Sequence, residues 1–583
     1  MEKKTAHNAT SAARLLESTG ELPEFSQAKK QAASPECKKA AKEAALSLIA
    51  NPEADLPSLK NSLSEKYGVP FLKNSEILAH IPLSNLLLRR LLLKSPTRTL
   101  SGVSPIAVMP PPSPCGGSCI YCPKGKNAPQ SYTGFEPTTM RAIESGYSAK
   151  KQVLSRIEQY ESQGHPTDKC HLIVMGGNFL NSPDAKRVSF MKDAYGALNG
   201  KKSPSLPSAI NANENAPHRA IGVTFETRPD YINEKNADSL LSMGGTQVEL
   251  GVQALSDSVY EKASRGHTVA DVARATALLR DCGFKICYHM MPGLFSTPEE
   301  DVSYFQRLFS DPSFRPDMLK IYPVLVLRGT KLYEMWEKGE FSPYETGEAA
   351  KVIADAIRFI PPYVRISRIQ RDIPTPLIAA GVKNSNLRQI VECELIKTGA
   401  RCRCIRCREI GSKAREGEEK TGSEKESEAG KSKKAGEGNA GNEKENASGK
   451  SKKAGAPEFS LNRLGYIASG GKEIFLSFED EKKDMLAGFL RLRIPRAPHR
   501  SELEGSSVVR ELHVYGQEAS IGERSREKQQ HQGLGGKLLA DAEKITKKEY
   551  GLSKISVLSG PGARGYYRKL GYSLVGAYMQ KKL

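Results

Sequence analysis

No stretch of this 583-residue sequence approaches the ~20 consecutive apolar residues that a bilayer-spanning helix needs. The opening residues, Met1-Glu-Lys-Lys4 and the polar run after them, also lack the apolar core of a signal peptide. These two absences point to the cytoplasm and away from a membrane. Regularly spread cysteines are missing as well. The chain has 11, an odd number, with three inside Cys115–Cys122 and three inside Cys402–Cys407, while Cys37, Cys170, Cys282, Cys287 and Cys393 are scattered. That distribution excludes the disulfide framework of a small secreted domain and suits metal ligation in a reducing compartment. One further absence marks a boundary. Residues 411–455 hold no Leu, Ile, Val, Met or aromatic side chain, and Lys-Ser-Lys-Lys-Ala-Gly occurs in them twice, at 431–436 and 450–455. With nothing to offset the entropy of ordering, this segment is expected to be a disordered linker.

What is present starts with charge. Lys and Arg number 86 against 66 Asp and Glu, a formal excess of +20. Such an excess attracts polyanions, of which nucleic acid is the commonest. The length exceeds what one core can serve, since single cores stop growing near ~250–300 residues. Residues 1–94 are rich in helix formers, with a Leu-rich run over Ile77–Leu93 and many Lys and Arg, and they read as a basic helical region suited to RNA. From about 100 to 370, apolar strands (His171–Met175, Ile221–Phe225, Gln247–Val252, Lys285–Met291, Leu319–Tyr322, Val364–Ile366) alternate with amphipathic helices such as Val269–Cys282 and Glu299–Phe309. This alternation argues α/β architecture with parallel strands, as a barrel or an open sheet. Beyond Pro457 a second α/β domain is expected. Its strands fall at Glu473–Ser477, Ala487–Arg493, Val508–Val514 and Lys554–Leu558, with a helix over Lys537–Tyr550.

The first cysteine group, Cys115-Gly-Gly-Ser-Cys119-Ile-Tyr-Cys122, has the spacing Cys-x3-Cys-x2-Cys. Three thiolates on one loop can ligate three irons of a 4Fe–4S cluster and leave the fourth iron open. An open iron is what radical chemistry on S-adenosylmethionine (SAM) requires; zinc, the alternative, normally takes four protein ligands. The strand after His171 runs into Gly176-Gly177-Asn178, where similar radical-SAM proteins bring a Gly-Gly motif to the SAM amino group. With Asn178 in place of the usual Glu, that contact is expected to be through backbone alone. Gln253 and Arg265 resemble the residues that hold SAM in related enzymes, and read equally well as hydrogen-bonding residues at a core edge. Near the C-terminus, Gln530-His-Gln-Gly533-Leu534-Gly535-Gly536 fits the phosphate-binding turn of the GNAT acetyltransferases. There, glycine backbone N–H groups at a helix N-terminus meet the coenzyme A pyrophosphate. A tyrosine of Tyr566-Tyr567 is then a candidate general acid toward the leaving thiolate; otherwise both simply pack on the sheet. The second group, Cys402, Cys404 and Cys407, lies among Arg401, Arg403, Arg406 and Arg408. It suits zinc with Cys393 or a distant His as fourth ligand, or else is a set of surface cysteines; its arginines suit tRNA phosphates.

The two modules in this order resemble the catalytic subunit of Elongator and its stand-alone archaeal and bacterial relatives. The resemblance is carried by Arg98-Thr-Leu-Ser-Gly-Val103, Gln130-Ser-Tyr-Thr-Gly-Phe-Glu-Pro137, Glu226-Thr-Arg-Pro-Asp230, Tyr288-His-Met-Met-Pro-Gly293, Arg368-Ile-Gln-Arg-Asp-Ile-Pro374 and Arg510-Glu-Leu-His-Val-Tyr-Gly516. It implies a radical-SAM partial (β/α) barrel over 95–395, a Cys-rich connector over 396–410, the linker, and a GNAT domain over 456–583. It implies tRNA uridine(34) acetyltransferase activity, in which a SAM-derived radical and acetyl-CoA give 5-carboxymethyluridine at the wobble position. A protein-lysine acetyltransferase with a structural barrel is the alternative. Partners implied are tRNA, through its anticodon stem-loop, and either a second copy or Elongator-like subunits, with no membrane. Carried onto this chain, the cluster ligands are Cys115, Cys119 and Cys122. The acetyl-CoA contacts are Lys169, Glu511, Leu512, His513, Val514, Leu534, Gly535, Gly536 and Tyr567, with Lys169 also a catalytic candidate beside Tyr566 and Tyr567. Cys122-Pro-Lys-Gly125 and Gly176-Gly-Asn-Phe179 depart from the family's Cys-Pro-Gly-Gly and Gly-Gly-Thr-Phe, and many relatives space the first two cysteines more widely.

Overall fold

The computed structural model describes residues 34–82, 84–93, 101–411, 457–515 and 533–583. The linker expected over 411–455 falls, apart from Gly411, outside them, as do Gln530, His531, Gln532 and the Arg98 end of its motif.

Among the described residues of the N-terminal region are the helices Pro35–Ala50, Leu56–Lys66, Asn74–Leu78 and Leu86–Leu91. Ser34 and Asp55 cap the first two through side-chain oxygens, and each has a proline in its first turn, Pro35 and Pro57. Ala40, Ala44, Leu48, Leu63, Ile77 and Leu88 close a small core of their own, and Lys38, Lys39, Lys42 and Arg90 remain exposed. No described helix is long and apolar enough to cross a membrane.

The next unit is a parallel sheet of seven strands. They are β1 (Ser104–Val108), β2 (Lys169–Val174), β3 (Arg219–Thr227), β4 (Gln247–Gln253), β5 (Lys285–Met290), β6 (Met318–Ile321) and β8 (Arg365–Ile369). Each pairs with the next in chain order, and β1 and β8 do not pair with each other, so the sheet is a partial barrel. Crossover helices such as Asp184–Leu198, Val269–Asp281 and Pro298–Ser310 bury Met191, Leu279 and Leu308 against it. All six expected strands are present. β1 was not anticipated, nor was the short antiparallel pair β7 (Leu325–Leu327) and β9 (Ile378–Gly381).

The C-terminal sheet runs in the order β10-β11-β12-β13-β14-β16-β15. Its strands are β10 (Ser460–Ala468), β11 (Gly471–Asp480), β12 (Met485–Ile494), β13 (Ser506–Val514), β14 (Lys554–Val557), β15 (Ser573–Val575) and β16 (Tyr578–Lys582). Helix Leu534–Lys548 packs Leu538, Leu539 and Ala542 onto one face. β13 pairs in parallel with β14 only from Ser506 to Val509, while its far end continues along β12. The two central strands therefore part after Val509.

This sheet lies against the N-terminal ends of the barrel strands. Gly560 and Gly562 lie on β3: a Cβ built on Gly560 would stand 2.3 Å from the Ile221 backbone carbon, and one on Gly562 would stand 2.8 Å from that of Arg219. Deeper in the joint, Asp317, just ahead of β6, accepts from Arg510 at 2.7 Å through both oxygens, with Arg491 3.6 Å and Arg280 3.9 Å away. Glu473 takes Arg510, Arg280 and Arg493, and Asp281 takes Arg493. The four guanidinium groups are essentially sealed from water. Charges so placed are tolerated because each is paired and hydrogen-bonded.

Candidate functional site

The cysteine loop follows β1 and is drawn over the C-terminal ends of the barrel strands. Gln130 braces its first turn: its Oε1 accepts from the Cys115 backbone N–H at 3.3 Å and its Nε2 donates to the Gly117 carbonyl at 3.2 Å. The Ile120 N–H binds the Ala263 carbonyl and the Leu332 N–H the Ile120 carbonyl, anchoring the loop to two neighbouring elements. All three thiols are free, and burial pushes Cys115 upward and Cys122 to about 11. Two guanidinium groups oppose that rise at Cys115, those of Arg228 and Arg265. Arg265 donates to the Cys119 sulfur at 3.3 Å. Three thiols facing buried positive charge suit an anionic iron–sulfur cluster, whose thiolates need that compensation.

The expected SAM residues gather around this loop. Gly176 and Gly177 both have positive φ, and a Cβ on Gly176 would lie 3.4 Å from Pro129 in the stretch that follows the cysteines. Gln253 ends β4 with φ 75°, and Arg265 also binds the Gly251 carbonyl beside it. The Asn178 side chain is buried, its oxygen accepts from the Thr227 hydroxyl at 2.9 Å, and its amide nitrogen has no partner among the described residues, which leaves a side-chain donor beside the backbone there.

Inside the barrel, alternate strand positions are polar. Glu249 on β4 meets His289 at 2.8 Å and pairs with Lys320, which stands 3.6 Å from Glu226. Although burial opposes it, the Lys320 ammonium beside it holds the Glu249 carboxyl well below the usual carboxylate range. The Tyr132 hydroxyl donates to Glu226 at 3.1 Å near the cysteine loop. Toward the opposite mouth, His171 bonds the Thr224 hydroxyl at 2.7 Å, and burial lowers its pKa to about 4, so the ring is neutral at pH 7. At that mouth Lys285 on β5 stands 3.6 Å from Glu511 on β13. Polar groups thus occur inside the barrel both toward the cysteine loop and toward the C-terminal sheet.

Glu511, Leu512, His513 and Val514 occupy the stretch of β13 beyond its pairing with β14, which leaves that edge without a strand partner among the described residues. Arg491 fixes Glu511 at 2.8 Å, and the His513 ring packs at a tilt against Tyr515, 4.3 Å between ring centroids. Across the gap, Gly533 adopts φ 76° and starts the 15-residue helix at Leu534, whose first turn carries Gly535 and Gly536 and the free N–H groups of a helix N-terminus. The Tyr566 hydroxyl reaches over it: a Cβ on Gly535 would stand 3.0 Å from that oxygen and 3.6 Å from Val514. Tyr567 goes elsewhere. It is 6% exposed, and its ring packs edge-on against Tyr572 in the sheet–helix core, whereas Tyr566 is 43% exposed. Lys169 begins β2, at the barrel end that faces this sheet, and among the described residues no side-chain contact fixes it to the cradle.

The second cysteine group lies between the two sheets. The Ile405 N–H binds the Val364 carbonyl ahead of β8, and Arg408 reaches Glu479 on β11 at 2.7 Å. The sulfurs of Cys402, Cys404 and Cys407 lie within 4.8 Å of one another. Hydrogen bonds from the thiols of Cys402 and Cys407 hold Cys404 well below the usual thiol range. Cys393 is exposed and does not join them, and among the described residues no His, Cys or carboxylate atom completes a fourth position. Arg408 is buried in its ion pair and unavailable to phosphate, while Arg401, Arg403 and Arg406 are exposed.

Sequence reasoning missed Arg228, Lys320, Glu249 and His289. The signal for the last three was there: charged or hydrogen-bonding residues at every second place in otherwise apolar parallel strands. Arg228 lies in the quoted motif Glu226-Thr-Arg-Pro-Asp230, but only the fold shows that it meets the cysteine loop.

Comparison with known proteins follows the same division. Residues 109–308 match the Radical SAM superfamily, 316–397 the Radical_SAM C-terminal domain, and 453–572 the Acetyltransferase (GNAT) family. A tRNA uridine(34) acetyltransferase of Dehalococcoides mccartyi is 47% identical over 499 residues, 84% of this chain and 100% of that protein. Human Elongator complex protein 3 is 38% identical over 548 residues, covering 91% of this chain and 94% of its own. Among solved structures, the archaeal Methanocaldococcus infernus Elp3 with an N-terminal deletion aligns at TM-score 0.69 and 42% identity, over 83% of this chain and 100% of that one.

Proposed function

Because the chain belongs to the family of tRNA uridine(34) acetyltransferases and Elongator complex protein 3, we propose that it forms 5-carboxymethyluridine at the tRNA wobble position from acetyl-CoA and a SAM-derived radical. The observation that supports this reading is the set of polar groups inside the barrel, with Glu226, Lys320 and Glu249 toward the cysteine loop and the Lys285–Glu511 contact at the mouth facing β13. A 4Fe–4S cluster on Cys115, Cys119 and Cys122 would supply the electron that opens SAM to a carbon radical. Gly176, Gly177, Gln253 and Arg265 would hold SAM beside it. Glu249, His289 and Lys320 offer the hydrogen-bonding groups that orient a uracil edge, and Lys38, Lys39, Lys42 and Arg90 suit the phosphates of the tRNA.

On the acetyl-CoA side, the open edge of Glu511–Val514 suits the amide groups of the pantetheine arm, and the first turn at Leu534–Gly536 suits the pyrophosphate. Lys169 would meet the same cofactor from the barrel side. Tyr566 is the proposed general acid: hydrolysis adds water to the thioester, and its hydroxyl gives a proton to the departing thiolate. Tyr567 holds the helix on which Tyr566 sits.

The test is anaerobic turnover of the reconstituted full chain with tRNA, SAM, acetyl-CoA and a reductant, read by nucleoside mass spectrometry. Carboxymethyluridine is expected. Tyr566→Phe should slow acetyl-CoA hydrolysis by at least ~100-fold, and Tyr567→Phe should leave it within a few-fold while lowering the melting temperature. Acetylation of protein lysines with no modified uridine would overturn the reading. For Cys402, Cys404 and Cys407 we propose structural zinc; metal analysis should give one zinc per chain, lost in Cys404→Ala, and a zinc-free wild type would refute it.

A further inference from the structure

We infer that Arg228 is a buried hydrogen-bond donor to the sulfur shell of the iron–sulfur cluster, and that its charge, offset by Asp230, sets the potential at which that cluster accepts an electron. The inference rests on the proposal above that Cys115, Cys119 and Cys122 hold a 4Fe–4S cluster.

Arg228 is 4% exposed and almost wholly committed. Its Nε and Nη2 donate to the Asp230 carboxylate, each at 2.9 Å, and Nη2 also donates to the Arg265 carbonyl at 2.7 Å. Its Nη1 has no partner and is shut off from solvent. That nitrogen faces the cysteine loop, since a Cβ on Gly117, between Cys115 and Cys119, would stand 2.0 Å from it. A charged N–H sealed from water without an acceptor is costly, and native structures seldom keep one without a ligand to receive it. The acceptor that belongs at this place is a thiolate or sulfide. The neighbouring guanidinium of Arg265 already makes such a bond, to the Cys119 sulfur.

The electrostatic consequence has a definite sign. Adding an electron makes the cluster more negative, and hydrogen bonds and positive charge around its sulfurs favour that state. Arg228 therefore raises the potential and Asp230, its counter-charge, lowers it. A role confined to bracing the loop would give no such opposition. Asp230 also faces His267, whose Nδ1 lies 4.0 Å away and which burial keeps neutral.

The experiment is an anaerobic redox titration of the reconstituted full chain with dithionite, followed by EPR of the reduced cluster, with iron and sulfide assayed in each sample. Arg228→Met is expected to shift the midpoint to more negative values, Arg228→Lys to fall between it and wild type, and Asp230→Asn to shift it the other way. If Arg228→Met fails to load iron, the Asp230→Asn shift still carries the sign. Equal midpoints, or shifts in one common direction at full iron content, would overturn the inference. Unchanged midpoints with weakened SAM binding would instead assign Nη1 to the SAM carboxylate. A wild-type chain that takes up no cluster would refute the underlying reading, which the iron assay separates from the other outcomes.

Discussion

Cys119→Ala should abolish carboxymethyluridine formation, by at least ~1,000-fold or roughly 4 kcal/mol of barrier, while the chain stays folded and still binds acetyl-CoA. Two thiolates, Cys115 and Cys122, cannot replace three as a cluster site. The fold should barely notice. Cys119 is half-buried, its backbone contacts are kept by alanine, and Arg265 retains the Gly251 carbonyl; changes of this kind typically cost about 1 kcal/mol. The informative comparison is with Tyr566→Phe, which strikes the other mouth of the barrel. Cys119→Ala is expected to stop uridine modification and leave thioester hydrolysis standing, and Tyr566→Phe to slow both. Modified uridine from Cys119→Ala at anything near the wild-type rate would exclude a radical route through this loop. Nucleoside mass spectrometry and a thiol-release assay on the same samples give both readings.

The second large effect is on stability. Asp317→Ala should destabilise the chain by roughly 3–5 kcal/mol, read as a lower denaturation midpoint. Asp317 is fully buried and receives both Arg510 bonds and the Ile286 N–H at 2.9 Å, with Arg491 and Arg280 close by. Removing it leaves three guanidinium groups in a place that water cannot reach. A double-mutant cycle identifies the cause: Asp317→Ala with Arg510→Ala should cost clearly less than the two single losses added, because the second change removes the charge the first one stranded. Strict additivity would show that the ion pair does not hold the two sheets together. Since Arg510 and Glu511 are adjacent on β13, the same change should also disturb the strand that faces the barrel mouth.

Much of this architecture is legible in the sequence. The central strands of the barrel are buried on both faces, so they appear as short apolar runs bounded by turn residues, and β2 to β6 and β8 were found where such runs occur. β1 was missed because Ser104-Pro-Ile-Ala-Val108 is short and followed by prolines, and β10 because Leu461, Leu464 and Ile467 are exposed at an edge and show no clean alternation. The cysteine loop was legible because its chemistry is local, three ligands within eight residues. Arg228 was not, since its relation to Gly117 exists only after β3 is laid beside the loop. The Tyr566 and Tyr567 pair shows the same limit: neighbours on one helical turn point to different sides, and only packing tells which reaches Gly535.

The contact of Gly560 and Gly562 with β3 bears on how two such domains can be inherited together. Each lies where a methyl group would strike the backbone of the other domain, at 2.3 Å from the Ile221 carbon and 2.8 Å from that of Arg219. The acetyltransferase half is therefore not a cassette that can be exchanged for another of the same fold. A donor domain with alanine at either place would be wedged off the barrel, and the arginines behind it would be opened to water. Shuffling can bring the two genes side by side, but the joint itself has to be refined by substitution, residue against residue, with both halves in the same chain.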